Sequence, residues 1–503
     1  MIMKNILKRA LSAIVATSML ALAFSSCAET KVTEGGSKEV ETIPVEEGIT
    51  HTKHHGVPKY DWEGENFNSF YFSNGNGGSH YTRDAATYFY FTDEEASGDP
   101  IKEALWKRDE LIVDYLNVNL TTEAYTGEEV ASLIYNDIVA GLDSYQQVLT
   151  HCIFGVASLV SNNYLYDFAE LPYVNIDEAW WDKEDMETLR LGRIYAYGRS
   201  DFTIPSPHVI IFNKTMVEDL NLKNPYELVE NYSWTLDEMI TMAKAAVQDV
   251  NHDARYRGET DVFGICIPEI SKLNSFLISC DQPISTRDEN GRLQLALNTE
   301  KTVKIVEKFY DLISTQGTIH DDMHDPSGVY MDKIFGEGRA LFALYDPSFL
   351  DTLRTYDLSY GILPYPMYDE YQREYKSDDW GVLWCVPANI QNPDLVSSVV
   401  ELYSYYSKDT IVPAYFDKVL EGKLVNDIES RRMLQIIYQS ISFDPINNYF
   451  GFRSGTEQLA FVLGKLVIEK NSKDFVSYYK SNEKRANEII SSFYENTAKN
   501  GGM

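Results

Sequence analysis

Two hydrophobic periods alternate along the chain. Short continuous apolar runs bounded by turn residues read as strands covered on both faces, and stretches with apolar residues three and four apart read as amphipathic helices. The strand candidates are Phe67-Asn68-Ser69-Phe70-Tyr71-Phe72, Val118-Asn119-Leu120, Gln147 to His151, Val209-Ile210-Ile211-Phe212, Ala340-Leu341-Phe342-Ala343-Leu344, a run through Tyr360 and Ile362, and Val382 to Val386. Asp99-Pro100 opens a helix with Ile101, Leu105, Leu111, Ile112 and Tyr115 at recurring apolar positions; 128–140 reads as another, and Asn392-Pro393 starts a third carrying Val396, Val399, Val400, Tyr403 and Tyr406. At Trp234-Thr235-Leu236-Asp237-Glu238, Thr235 predicts an N-cap with Glu238 reaching back, Trp234 stapled onto Met239, and Leu236, Met239, Ile240, Ala243 and Val247 as the buried stripe. From Glu429 onward the period is helical. Strands interleaved with helices in this way predict α/β layers.

The stretch Phe335 to Pro366 organises the rest. A turn with Gly336 and Gly338 leads into the run 340–344, which stops at Tyr345-Asp346-Pro347-Ser348-Phe349 because Pro347 cannot donate to a sheet ladder. A helical patch with Leu350 and Leu353 follows, then the strand through Tyr360 and Ile362, broken by Pro364 and Pro366. A strand ending in polar and aromatic residues just before a helix is where open α/β sheets place ligands.

Phe335, Gly338, Ala340, Leu341, Phe349, Gly361, Pro364 and Pro366 make this stretch resemble the extracellular solute-binding proteins of carbohydrate ABC transporters. Leu116-Asn117-Val118, Asn213-Lys214, Pro225-Tyr226-Glu227-Leu228 and Trp234 to Glu238 match further elements of that family in order, as does the pair Trp180-Trp181, although Gln146 stands where relatives carry Asp and Ala179 where they carry Pro. The resemblance implies a two-lobed, periplasmic-binding-protein-like (type II) α/β fold whose lobes are joined by crossover strands forming a hinge. Tyr195 to Asp201 with Pro205 to Pro207 reads as the first crossover, and Asp378-Asp379-Trp380-Gly381 as the return. Lobe 1 is then expected over 58–203 and 367–428, and lobe 2 over 204–366 and 429–503.

At the amino terminus Lys4, Lys8 and Arg9 precede an apolar core from Ala10 to Phe24, too short to span a bilayer comfortably, and Ser25-Ser26 lead to Cys27. The segment 1–26 reads as a bacterial lipoprotein signal with Cys27 as the lipidated residue, or as an ordinary secretory signal that contains a cysteine. The remaining 477 of 503 residues are natural for two lobes. Residues 27–57 carry many charges and few apolar side chains and read as a flexible tether with exposed His51, His54 and His55.

A net charge of −32 argues against nucleic acid, whose backbone demands a basic footprint, and against adsorption to anionic lipid, leaving an acyl anchor to hold the protein at a membrane. The Gly- and Asn-rich loop from Ser73 to Tyr81 lacks the glycine spacing and lysine of a phosphate cradle. Asp249-Val250-Asn251-His252-Asp253 begins like a calcium loop, but Ala254 and Thr260 stand at its sixth and twelfth positions, where Gly and Glu are needed. The cluster His320-Asp321-Asp322-Met323-His324-Asp325 reads as an acidic surface loop. Cys152, Cys266, Cys280 and Cys385 lack metal-ligand spacing and allow three pairings, so no metal site, cofactor or bridge is assigned.

No nucleophile elbow or zinc-hydrolase motif is present, and no catalytic residue is assigned. The resemblance implies a monomeric, lipid-tethered receptor at the extracellular face that binds a sugar, expected to be an oligosaccharide, and passes it to ABC permease subunits. The 35 tyrosines are compatible with stacking on sugar faces. Asn74, Asp201, Phe349, Trp380 and Trp384 lie near predicted strand ends or crossovers and are the candidate ligand contacts, core packing being the alternative for each. A surface carbohydrate-active enzyme and a glycan sensor that delivers no cargo are the competing readings.

Overall fold

A computed structural model describes residues 53–73, 98–126, 130–151, 156–192, 195–322, 329–347, 350, 353, 355–379, 382–420, 427–449 and 456–499. Its strands are β1 (Glu65–Ser73), β2 (Val118–Thr126), β3 (Gln147–His151), β4 (Val209–Asn213), β5 (Phe263–Ile267), β6 (Ser285–Arg287), β7 (Leu293–Leu295), β8 (Ile319–Asp321), β9 (Ala340–Tyr345), β10 (Tyr360–Leu363), β11 (Ser377–Asp378), β12 (Val382–Cys385) and β13 (Ile441–Ser442). They form one sheet in the order β12-β3-β1-β2 and another in the order β10-β4-β9-β5-β8, with β11–β13 and β6–β7 as two small pairs.

In the first sheet β1 runs parallel to β2 and β3, and β12 returns antiparallel to β3 with Val382 opposite His151. In the second, β5 is parallel to both β8 and β9, whereas β4 is antiparallel to β9 with Val209 opposite Tyr345. Every residue of β4, β5 and β9 is buried, which explains why these strands read as continuous apolar runs rather than alternating ones.

Local signals set the helix starts. Asp99 accepts from the Ile101 amide at 2.9 Å ahead of Pro100–Leu116, and Asn392 accepts from the Leu395 amide at 3.2 Å ahead of Pro393–Asp409. Thr235 caps Leu236–Ala246 through the Glu238 amide at 3.3 Å. The reciprocal half of the expected capping box is not made: the Glu238 carboxylate takes Lys223 at 2.8 Å and not the Thr235 amide. Trp234 is fully buried, its ring 5.6 Å from that of Phe342 and its indole N–H donating to the Pro364 carbonyl at 2.9 Å.

One expectation about the tether changes. His55 is buried rather than exposed, with edge contacts to Tyr115 and Tyr405 at 4.9 and 4.8 Å, and Val57 beside it is fully buried. The Val57 amide donates to His55 Nδ1 at 3.0 Å, and Lys53 pairs with Glu178 at 2.5 Å. An imidazole between phenol rings covers apolar area that its polar label conceals. His54 is exposed as expected, and residues 1–52, with Cys27 and His51, lie outside the described residues.

Among the described residues Cys266, Cys280 and Cys385 are buried free thiols, and burial pushes Cys280 up to about 12, which keeps it protonated and unreactive. No described helix is long and apolar enough to cross a membrane.

Candidate functional site

The sheet topology brings one place into focus. β5, β8 and β9 are parallel, so their carboxyl ends share an edge, and the antiparallel β4 begins on that same edge. Pro207, two residues before β4, bridges Asp379, while Val382 pairs with His151 at the carboxyl end of β3. Three chain steps from Asp379 to Val382 reach at most about 11 Å. The carboxyl edges of the two sheets therefore come close together at the crossovers, where ligand sites in open α/β sheets are found.

The two crossovers run antiparallel, bridging at Gly198–Trp384 and Pro207–Asp379, with the Gly198 amide donating to the Trp384 carbonyl at 2.8 Å and His208 to the Asp378 carbonyl at 2.9 Å. Gly198 lies so close to the Trp384 ring that a Cβ there would stand 2.5 Å from Cε2. Gly198→Ala is accordingly expected to cost about 1–3 kcal/mol by forcing the crossovers apart. A urea midpoint unchanged from that of the parent would contradict this contact.

A third segment joins them. β13 pairs with β11 in parallel, Asn447 Nδ2 donates to both Asp378 oxygens at 2.8 and 2.9 Å, and Asn448 Nδ2 donates to the Asp379 carbonyl at 2.8 Å. Asp444 holds this segment to β6 by accepting from the Ile284 and Ser285 amides and the Ser285 hydroxyl at 2.7–2.9 Å.

Where these pieces meet, the core carries charge. Arg199 Nη2 lies 3.2 Å from Asp379 Oδ2, its guanidinium 4.6 Å from the centre of the Phe443 ring, and Asp379 Oδ1 accepts from the Ser206 amide at 2.9 Å. Lys272, just beyond β5, pairs with Asp346, just beyond β9, at 2.6 Å and reaches His208 Nε2 at 2.8 Å. His208 Nδ1 is 2.7 Å from Ser275 Oγ, which donates to Asp378 Oδ2 at 3.2 Å. Arg199, His208, Lys272, Asp346, Asp378 and Asp379 are all buried. Burial raises the Asp346 carboxyl above its ordinary range, and the adjacent Lys272 ammonium pulls it back down without cancelling the rise.

The sequence-derived candidates separate at this point. Asp201 is buried, its amide donating to the Trp180 carbonyl at 3.0 Å. Trp384, expected as a platform for ligand, has no exposed surface: it stacks on Trp181 at 5.5 Å and meets Phe168 and Phe202 edge-on at 5.1 Å. An indole enclosed by three rings and a glycine backbone is a packing residue in this conformation. Asn74, Phe349 and Trp380 lie outside the described residues.

Sequence reading missed Lys272, His208 and Glu401. The signal for the first was a lone charged side chain in the otherwise uncharged stretch 270–278. Glu401, fully buried on Pro393–Asp409, accepts the indole N–H of Trp180 at 2.7 Å and of Trp181 at 2.8 Å, so the paired tryptophans are pinned to this helix. Burial pushes the Glu401 carboxyl up to about 8, outweighing its N–H donors. A raised folded-state value means that stability from this group is complete below about 4.5 and is lost as pH rises through about 8. Glu401→Gln keeps one acceptor but turns an NH₂ toward the other indole. It should be less stable than the parent at pH 5 and lose this part of the decline between pH 5 and 8; a parallel pH profile in chemical denaturation would contradict that.

The calcium-like stretch is tied into its own loop. Asp249 accepts from the Asp253 and Ala254 amides, Asp261 accepts from Val250 and Arg257, and Ala254 sits at φ +58° where a calcium loop has glycine. The start of the cluster expected as a surface loop is instead buried, with His320 and Asp321 on β8 and His320 Nε2 3.1 Å from both Asp322 Oδ1 and the Val329 carbonyl, while 323–325 lie outside the described residues. No group of three or more potential metal ligands occurs among the described residues.

The sequence matches no family model, and no curated protein matches it. Solved structures do match. The ABC substrate-binding protein from Listeria monocytogenes in complex with cycloalternan aligns at a TM-score of 0.54 and 12% identity, over 85% of this chain and 99% of that one. A solute-binding protein of an ABC transporter from Thermotoga lettingae, bound with alpha-D-tagatose, aligns at 0.54 and 12%, over 85% and 100%. The GacH receptor of Streptomyces glaucescens, solved unliganded and with acarbose, aligns at 0.53 and 13%, over 86% and 98%. The chain has the two-lobed α/β fold of these sugar-binding proteins of ABC transporters.

Proposed function

We propose that this protein is an extracellular receptor that binds a sugar, an oligosaccharide in our reading, between its two lobes and delivers it unaltered to an ABC permease. The observation that carries the reading is the alignment, over nearly their whole length, with structures solved with cycloalternan, tagatose and acarbose. The meeting of both carboxyl edges at the crossovers supports it, because it places strand-end loops of both lobes around one site. Lobe 1 comprises 58–203 and 367–428 and lobe 2 comprises 204–366 and 429–503 in this proposal, with Cys27 carrying the lipid anchor of a monomer.

In this reading Asn74, Phe349 and Trp380 supply the direct contacts, the amide bonding hydroxyls and the rings covering apolar sugar faces. Asp201 and Trp384 act one layer below, shaping the floor on which the loops sit. Closure by hinge motion would trap the sugar, and ligand drives it only through tighter binding to the closed state.

A thermal-shift panel of malto-oligosaccharides, cyclic glucans and monosaccharides tests the proposal. A true ligand at about 100 times its Kd should add about 2.7 kcal/mol of stability. Phe349→Ala and Trp380→Ala should each weaken that ligand about three- to tenfold, the worth of one aromatic contact. A panel without any shift would overturn the sugar assignment, and undiminished affinity in both variants would overturn these contacts.

A further inference from the structure

One groove takes no part in the crossover junction. Asp281 just beyond Asn274–Ser279, the first turns of Glu300–Ser314 and the segment 368–376 enclose about 780 Å³. That volume falls within the roughly 300–1,000 Å³ of sites for small ligands. The segment is built to hold one ring in the open. Asp369 accepts from the Tyr371 and Gln372 amides at 2.9 and 3.2 Å. The Gln372 side chain is committed to the backbone: its oxygen takes the Tyr368 amide at 3.1 Å, and its nitrogen donates to the Ser279 and Glu374 carbonyls at 2.7 and 2.8 Å. Lys376 fixes the far end by pairing with Asp281 at 2.5 Å. Tyr371, on this braced loop, is 89% exposed, and its side chain has no hydrogen-bond or ring partner among the described residues. Half-buried Tyr368 on the groove wall already has the Lys301 and Lys308 ammoniums 5.1 and 5.2 Å from its ring centre, which leaves Tyr371 as the uncommitted ring.

The charges of the groove cancel. Four acidic and four basic side chains line it, in a chain whose net charge is −32. Arg373 and Glu374 beside the ring are exposed, and neither side chain has a hydrogen bond or ion pair among the described residues. A guanidinium only donates and a carboxylate only accepts, whereas a hydroxyl does both. A neutral polyol therefore satisfies both groups, while an anion meets Glu374 and a cation meets Arg373. The apolar face of a sugar ring is also what an exposed phenol covers best. We propose that this groove is a second carbohydrate site, outside the interlobe cleft, which takes an internal stretch of a neutral polysaccharide and holds the protein against that polymer. Tyr371 and Arg373 are open to solvent, so a long chain can lie across the groove without threading. One stacking ring makes the site weak for a short oligosaccharide, and the cleft fills first; a polymer offers many overlapping stretches and raises the occupancy. Tyrosine and arginine also suit a protein partner, but the balanced charge and the volume beside the ring favour the sugar.

Native electrophoresis of the purified protein through gels containing amylopectin, galactomannan, arabinoxylan or mixed-linkage β-glucan, with pectate as the polyanion, tests this. The parent should be retarded by at least one neutral polymer and not by pectate. Tyr371→Ala should weaken that retardation about five- to tenfold, and Tyr371→Phe, which keeps the stacking face, less than about twofold. Both variants should keep the parent's urea midpoint, because the side chain is exposed, so lost retardation is not lost folding. Retardation of Tyr371→Ala equal to the parent's, or retardation by pectate as strong as by the neutral polymers, overturns the site. A parent unretarded in every gel also overturns it and leaves the groove to a protein partner. Trp380→Ala should be retarded like the parent; if it alone loses retardation, the polymer enters the cleft and the groove site is overturned. The cleft is read separately, by titration with short oligosaccharides, where Tyr371→Ala should match the parent. Failure of every short sugar there would sink the cleft reading and leave the groove to be decided by the gels.

Discussion

Trp384→Ala is expected to destabilise the protein by about 3–5 kcal/mol, the cost of emptying a well-packed aromatic site. The indole is fully buried and stacked on Trp181, with Phe168 and Phe202 on its edges and Gly198 against its face. None of these neighbours collapses easily into the gap, because Trp181 is held by Glu401 and Gly198 by its bond to the crossover main chain. Trp384→Phe should be far milder. The indole N–H has no hydrogen-bond partner among the described residues, so removing it abolishes an unmet donor while keeping most of the ring. Urea denaturation of the two variants checks this, and an alanine variant within about 1 kcal/mol of the parent would show that the ring is not structural.

Lys272→Met is expected to cost a similar amount, about 3–5 kcal/mol at neutral pH, for an electrostatic reason. Its ammonium is the partner at 2.6 Å of an Asp346 carboxylate that is itself buried, and a methionine leaves that charge uncompensated. Asp346 is already raised above its ordinary value by burial, and loss of Lys272 raises it further. The sign follows from linkage: a carboxyl that binds its proton more tightly when folded favours the folded state below its unfolded pKa, and that advantage is lost as pH rises through the folded value. The variant should therefore recover part of its deficit at pH 5. Lys272→Met combined with Asp346→Leu should be more stable than Lys272→Met alone, since paired removal leaves no orphaned charge. Denaturation midpoints at pH 5 and 7 decide the matter, and a single variant as stable as the parent at pH 7 would contradict the pairing.

The strands that could be read along the chain were those whose partners are irrelevant to recognising them. β4 and β9 announce themselves because both faces are covered, and Val382 to Val386 does so for the same reason. The hairpin β6–β7 and the β11–β13 pair contain two or three residues per strand and exist only because the chain around them is already placed. β5 was obscured by Gly264, where a Cβ would stand 2.5 Å from the Ala243 carbonyl oxygen, so close packing of strand on helix demanded the residue that weakens the pattern.

The crossover cluster was less legible. Its hydrogen bonds join residues 64 to 180 positions apart, such as His208 with Lys272 and Arg199 with Asp379, and no local spacing encodes such pairs. The pattern put Trp384 on the right strand without its surroundings: a tryptophan within a strand looks alike in sequence whether its ring faces a ligand or, as here, Trp181. The acidic composition concealed Asp346 and Asp379 among many carboxylates, whereas Lys272, the lone charge in the stretch 270–278, was the one readable clue.

Isothermal titration of the purified protein with a panel of oligosaccharides tests the central claim most directly. The account predicts that one sugar class gives a saturable one-to-one isotherm whose heat ends at saturation, because the solute is held and not converted. Heat that continues after every injection, as turnover would produce, or the absence of binding across the panel, would contradict it.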